Sequence, residues 1–144
     1  MMRTIAAYLA ACVATFVTAS GFYTQQVLAR QAEIGAVYTP EQTAATYVDN
    51  FIGLAPSYGL VLSIGLLIAF PVAAFLRRIL KPLAPIGYPL AGAAAVLTAI
   101  YIIEEVVAGG GVGALAGARG ALGLTLQALA GALGGLVFAL IMKR

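Results

Sequence analysis

The chain has 144 residues, of which 62% are hydrophobic and 9% charged, with a mean hydropathy of +1.02 and a formal net charge of +3. A water-soluble fold of this size has no interior large enough to hide so much apolar surface, so lipid is the expected solvent and one compact unit the expected organisation. With no histidine and a single cysteine, Cys12, the composition excludes His/Cys metal clusters, cysteine–histidine nucleophile pairs and intrachain disulfides. Nucleic-acid binding has no support either, because the basic residues are scattered at segment ends, where membrane topology alone would put them.

A spanning helix needs about 20 residues with few charges, and four stretches qualify, at about 4–29, 56–76, 86–107 and 119–142. None shows the two-residue alternation of a barrel strand, so helices are expected throughout. In the first stretch, Leu9-Ala10-Ala11-Cys12 resembles the lipobox before a lipidated cysteine. The apolar run ahead of Cys12 is short for a signal segment and continues well past it, so a retained first span is expected.

Between the first two spans, Thr39-Pro40-Glu41-Gln42 reads as a helix start, with Thr39 as N-cap, Pro40 at N1 and Gln42 completing a capping box. Ala44, Tyr47, Val48 and Phe51 then fall on one apolar stripe, so a short amphipathic helix over about 40–53 is expected on the outer membrane surface. The second span is expected to begin near Pro56 and to kink at Pro71, which removes a backbone donor and crowds the Leu67 carbonyl. The connection from Arg77 to Tyr88 carries Pro82, Pro85 and Pro89, which puts Pro89 at N1 of the third helix. The glycine-rich run from Gly109 to Gly120 has neither a preceding strand nor a Gly-Lys-Ser/Thr sequence, so it reads as a flexible turn and not a phosphate loop.

Lysine and arginine concentrate on cytoplasmic loops. Arg3, Arg77, Arg78, Lys81, Lys143 and Arg144 fall on one side, against Arg30 and Arg119 on the other, so both termini are expected in the cytoplasm. All five acids, Glu33, Glu41, Asp49, Glu104 and Glu105, lie on or near that second side. Tyr8 and Tyr88 at the inner ends, with Tyr23, Tyr58 and Tyr101 towards the outer ends, fit aromatic belts at the two headgroup levels.

Small side chains recur in helical register. In the first span Ala7, Ala11, Ala14, Thr18 and Gly21 are spaced 4, 3, 4, 3, and in the fourth Gly117, Ala121, Thr125, Ala128, Ala132, Gly135 and Ala139 are spaced 4, 4, 3, 4, 3, 4. In lipid, helices associate through close backbone approach and interhelical hydrogen bonds, so these stripes are candidate interfaces, with each other or across an oligomer. Their near-heptad period favours left-handed packing.

Polar groups deep in a membrane are functional candidates by default. Here they are Gln127 and Thr125 in the fourth span, Thr98 in the third and Ser63 in the second, each with an interhelical hydrogen bond as its plain structural role. A third helix starting at Pro89 would put Glu104 about 22 Å up a hydrocarbon layer of about 30 Å. Arg119 is the basic residue at matching depth, so pairing with Glu104 or Glu105 is expected. Adjacent glutamates point about 100° apart on a helix, which argues against a metal site there.

The expected fold is thus an all-α membrane protein, a four-helix up-down bundle with both termini inside, in a cell membrane of the bacterial inner-membrane kind. No cofactor or catalysis is expected, because no nucleophile has an adjacent base. The expected role is structural: an accessory or scaffold subunit in the lipid bilayer, as a homo-oligomer or within a larger membrane complex. The alternative is a small oligomeric transporter or channel with a polar path near Gln127, Thr98 and Glu104.

Overall fold

A computed structural model describes residues 1–107, 109 and 115–143, and among these residues it is helical with no strand. Five α-helices follow in order, α1 (Met2–Glu33), α2 (Pro40–Leu54), α3 (Leu60–Ile79), α4 (Gly87–Ile102) and α5 (Gly120–Lys143). Among the described residues, 4 helical runs are long and apolar enough to cross a membrane: Met2–Glu33, Pro40–Ile79, Gly87–Val106 and Gly120–Lys143.

The first of these outruns the expected span at both ends. Its 32 residues extend about 48 Å against a hydrocarbon layer of about 30 Å. Gly35 ends it at φ 88°, a backbone conformation that a side chain would strain. The Ala36 N–H then donates to the Gln31 carbonyl and the Gly35 N–H to the Ala32 carbonyl, both at 3.0 Å, the paired bonds of a Schellman cap.

The second run departs from expectation. At its start, the Gln42 N–H donates to Thr39 Oγ1 at 3.2 Å and the Thr39 N–H to Gln42 Oε1 at 3.0 Å, a reciprocal capping box. No break follows at Pro56. A π-helical turn, Ala55–Gly59, joins α2 to α3 in one 40-residue run. Pro56 has no N–H to donate, and its ring would crowd the carbonyl four residues back; the wider turn carries the helix past both problems. It also turns Tyr58 inward, leaving it 1% exposed. Pro71 lies within α3 on an exposed face, and the helical run passes through it to Ile79.

The side of α2 that packs on α1 is also not the expected one. Thr43, Thr46, Asn50 and Leu54 are half-buried, whereas Ala44, Tyr47, Val48 and Phe51 are exposed, one residue round the helix. Asn50 explains the setting, because its Nδ2 donates to Thr24 Oγ1 of α1 at 3.2 Å. Phe51 still reaches Phe16, with ring centroids 4.9 Å apart.

Helix α5 lies between α1 and α4, α3 packs on the far side of α4, and α1 and α3 meet only sparsely. Two arginines of α1 clasp the ends of α5. Arg3 donates through Nε and Nη2 to the Ile141 carbonyl, at 3.0 and 2.8 Å, and through Nη2 to the Met142 carbonyl at 2.8 Å. Arg30 donates through Nη1 to the Ala116 carbonyl at 2.6 Å and through Nη2 to the Arg119 carbonyl. The start of α1 and the end of α5 therefore share one end of the bundle. Arg3→Ala removes a cation from the negative end of the α5 dipole, so thermal unfolding in detergent at low salt should show a loss of about 0.3–1 kcal/mol that shrinks as salt is added.

Candidate functional site

Gln127 is 0% exposed at mid-α5. A primary amide in an apolar interior is costly unless both of its ends are bonded. Tyr58 donates its hydroxyl to Gln127 Oε1 at 2.8 Å, and Gln127 Nε2 donates to the Ala19 carbonyl at 3.0 Å. One side chain thus ties α5 to α1 and to the π-turn ahead of α3. Leu62, Val96, Ala99 and Ala130 form a buried apolar cluster with Tyr58 and Ala19.

Above this knot a polar edge runs up α1: Ser20 and Thr24 are buried, and Thr24 Oγ1 donates to the Ser20 carbonyl at 3.0 Å. Below it lies Thr15, 0% exposed, whose Oγ1 has no hydrogen-bond partner among the described residues and abuts Gly134 of α5.

Glycine makes the contacts around Gln127. A Cβ built at Gly131 would overlap the Gly92 carbonyl of α4, and one built at Gly92 would overlap the Gly131 carbonyl, so the two backbones touch with nothing between them. At Gly135 a Cβ would run into the Tyr88 carbonyl, and at Gly134 it would lie 3.0 Å from the Ala11 carbonyl of α1. Such approach substitutes dispersion and Cα–H···O contacts for the hydrophobic drive that lipid does not supply.

The seams differ from the stripes read off the sequence. On α1 Ala7 and Ala11 are buried, but the buried line continues through Thr15 and Ala19, while Ala14, Thr18 and Gly21 are half-buried beside it. Steps of four advance about 40° each round a helix, so the seam walks round α1 in the four-residue ridge register rather than the heptad one. On α5 Gly135 and Ala139 are buried, as is Gly117 just before the helix, whereas Ala121 and Thr125 are exposed and Ala128 and Ala132 half-buried. Gly113, four residues before Gly117 in the sequence, lies outside the described residues. The cause is Gln127: it sits about 120° round the helix from the Ala121 line, and burying the amide turns that line outward.

The other polar candidates disperse. Ser63 Oγ donates to the Gly59 carbonyl at 2.8 Å and Thr125 Oγ1 to the Ala121 carbonyl at 2.6 Å, each satisfied within its own helical run. Thr98 is exposed and lines a groove between α3 and α4. Glu104 is half-buried and Glu105 exposed, both in a second π-turn, Ile103–Val107. The Arg119 carbonyl accepts from Arg30.

Tyr58 is the component that sequence reading misses, placing it in the headgroup belt. A phenol and a buried amide form a natural donor–acceptor pair, but nothing in the sequence says that a π-turn aims this ring inward. Among the described residues no group of three or more His, Cys, Asp or Glu side chains could hold a metal ion. Comparison of the chain with family models, with curated proteins and with solved structures gives no match.

Proposed function

We propose that this chain is a non-catalytic multi-pass subunit of a bacterial inner membrane, with both termini in the cytoplasm and a scaffold or self-assembly role. The observation that carries the reading is the glycine-to-carbonyl contact of α5 with α4 and α1 around Gln127, whose amide is bonded at both its oxygen and its nitrogen, an interior suited to close fit rather than passage. Orientation is supported by charge: the end where α1 begins and α5 finishes carries Arg3, Arg77, Arg78, Lys81 and Lys143, whereas Glu33 closes the far end of α1 and Glu41, Asp49, Glu104 and Glu105 lie outside the α3–α4 connection.

Association with further copies or with a larger complex is supported by the outward stripe of Ala121, Thr125, Ala128 and Ala132, which is small enough for another helix to approach closely. The rival, an oligomeric transporter or channel, draws on the half-buried Glu104 in its π-turn, a helix irregularity frequent at functional sites.

Cysteine scanning in a Cys12→Ala background separates the two. Cysteines at Gly123, Gln127 and Ala130 are expected to resist a charged, membrane-impermeant thiol reagent in intact vesicles, whereas a cysteine at Glu105 should react. Labelling at Gln127 would support the transport reading. Reporter fusions test orientation: a fluorescent protein that folds only in the cytoplasm should light up at either terminus, and an exported phosphatase at either terminus should be silent.

A further inference from the structure

We propose that the groove between α3 and α4 at the Arg77 end binds one anionic glycerophospholipid, its acyl chain in the groove and its phosphate on Arg77. This goes beyond the scaffold reading and rests only on the helices lying in lipid. The groove has a volume of about 330 Å³ and is lined from Ala69 to Leu80 on the α3 side and from Gly87 to Ala94 on α4. Its α3 wall covers about 16 Å along the helix, which is the depth of one leaflet in a hydrocarbon layer of about 30 Å. Apart from Arg77 its lining is wholly apolar. It therefore has the polarity profile of one lipid: a hydrocarbon length with a single charge at the end.

Arg77 is held in place rather than free to sweep the surface. Its stem crosses Gly87, where a Cβ would fall 2.7 Å from Arg77 Cγ and 3.0 Å from Cδ. Its guanidinium lies over the Tyr88 ring, 4.6 Å from the centroid, and that ring is packed against Phe138 and Phe70 at centroid distances of 4.8 and 5.9 Å. A cation held over an aromatic face keeps its N–H donors for other partners. Nε is buried and has no hydrogen-bond partner among the described residues. Among the described residues no Asp or Glu side chain lies in the α3–α4 connection, while Arg78 and Lys81 add two cations beside Arg77. A donor fork with no acceptor among the described residues, at the end of an apolar trough, fits a phosphate oxygen, and the surrounding positive charge selects an anionic lipid over a zwitterionic one.

Native mass spectrometry and thermal unfolding of the full chain in detergent, titrated with phosphatidylglycerol, phosphatidylcholine or inorganic phosphate, test the site. Phosphatidylglycerol should be retained on the wild type at least about tenfold better than phosphatidylcholine and should raise the unfolding temperature, and inorganic phosphate should do neither. Arg77→Gln should erase most of that preference, Gly87→Ala should weaken it by displacing the arginine stem, and Arg78→Gln should change it less. Equal retention of the two lipids by the wild type, an unchanged preference in Arg77→Gln, or equal stabilisation by inorganic phosphate would each overturn the proposal; the wild-type lipid comparison stands even if a variant fails to fold.

Discussion

Gly131→Leu is expected to destabilise the bundle by about 3 kcal/mol or more and to leave a chain that inserts in the membrane without settling into a single packed state. The size follows from what the new side chain meets. Around Gly131 lie the Gly92 carbonyl and, 2.6 Å from a built Cβ, the Val96 methyl Cγ2. A flexible side chain can move aside, but a helix backbone moves only with the whole of α4. Gly135→Leu should act alike, because its obstacle is the Tyr88 carbonyl.

Ala121→Leu is the informative partner experiment, since Ala121 is exposed and its replacement should change the stability of the single chain by less than about 0.5 kcal/mol. Reversible unfolding in mixed micelles reads both. If Ala121→Leu disperses an oligomer while each chain stays folded, the outward stripe is an intermolecular contact.

Gln127→Leu is expected to cost about 1–3 kcal/mol, because it leaves the Tyr58 hydroxyl buried with no acceptor. Tyr58→Phe should cost less, about 0.6–1.7 kcal/mol, because Gln127 keeps its bond to the Ala19 carbonyl. The double variant should fall short of the sum by about 1 kcal/mol, the mark of two groups that bond each other. Strict additivity would mean that the phenol and the amide do not meet in the membrane.

Hydrocarbon-length apolar runs carry most of the fold, and they are visible in composition alone because lipid makes helices the only economical backbone for them. Finer features depend on choices that sequence leaves open. Helix α5 has small residues on more than one face, Ala121 and Ala132 on one and Gly123, Gly131 and Gly134 on another. Counting small residues ranks the faces about equally. The amide of Gln127 breaks the tie, because only one rotation of the helix gives it Tyr58 and Ala19 as partners.

The same logic applies to α2, where Asn50, not the Ala44-Tyr47-Val48-Phe51 stripe, sets the face turned to α1. Helix ends show a third limit. Pro56 reads as a start because proline suits a first turn, yet a π-turn lets the helix continue through it, and that choice depends on tertiary contacts that the local sequence does not carry.

Helices α1 and α5 lie at backbone distance, with glycine at the contact. The most direct test is oxidation of a Thr15→Cys, Gly134→Cys pair in a Cys12→Ala background, in native membranes. A Cβ built at Gly134 falls 3.1 Å from Thr15 Cβ, close to the spacing of about 3.5–4.5 Å that a disulfide spans. An intramolecular cross-link should form readily with this pair and fail with Thr15→Cys, Ala121→Cys. No cross-link from the first pair, or one just as efficient from the second, would contradict the packing.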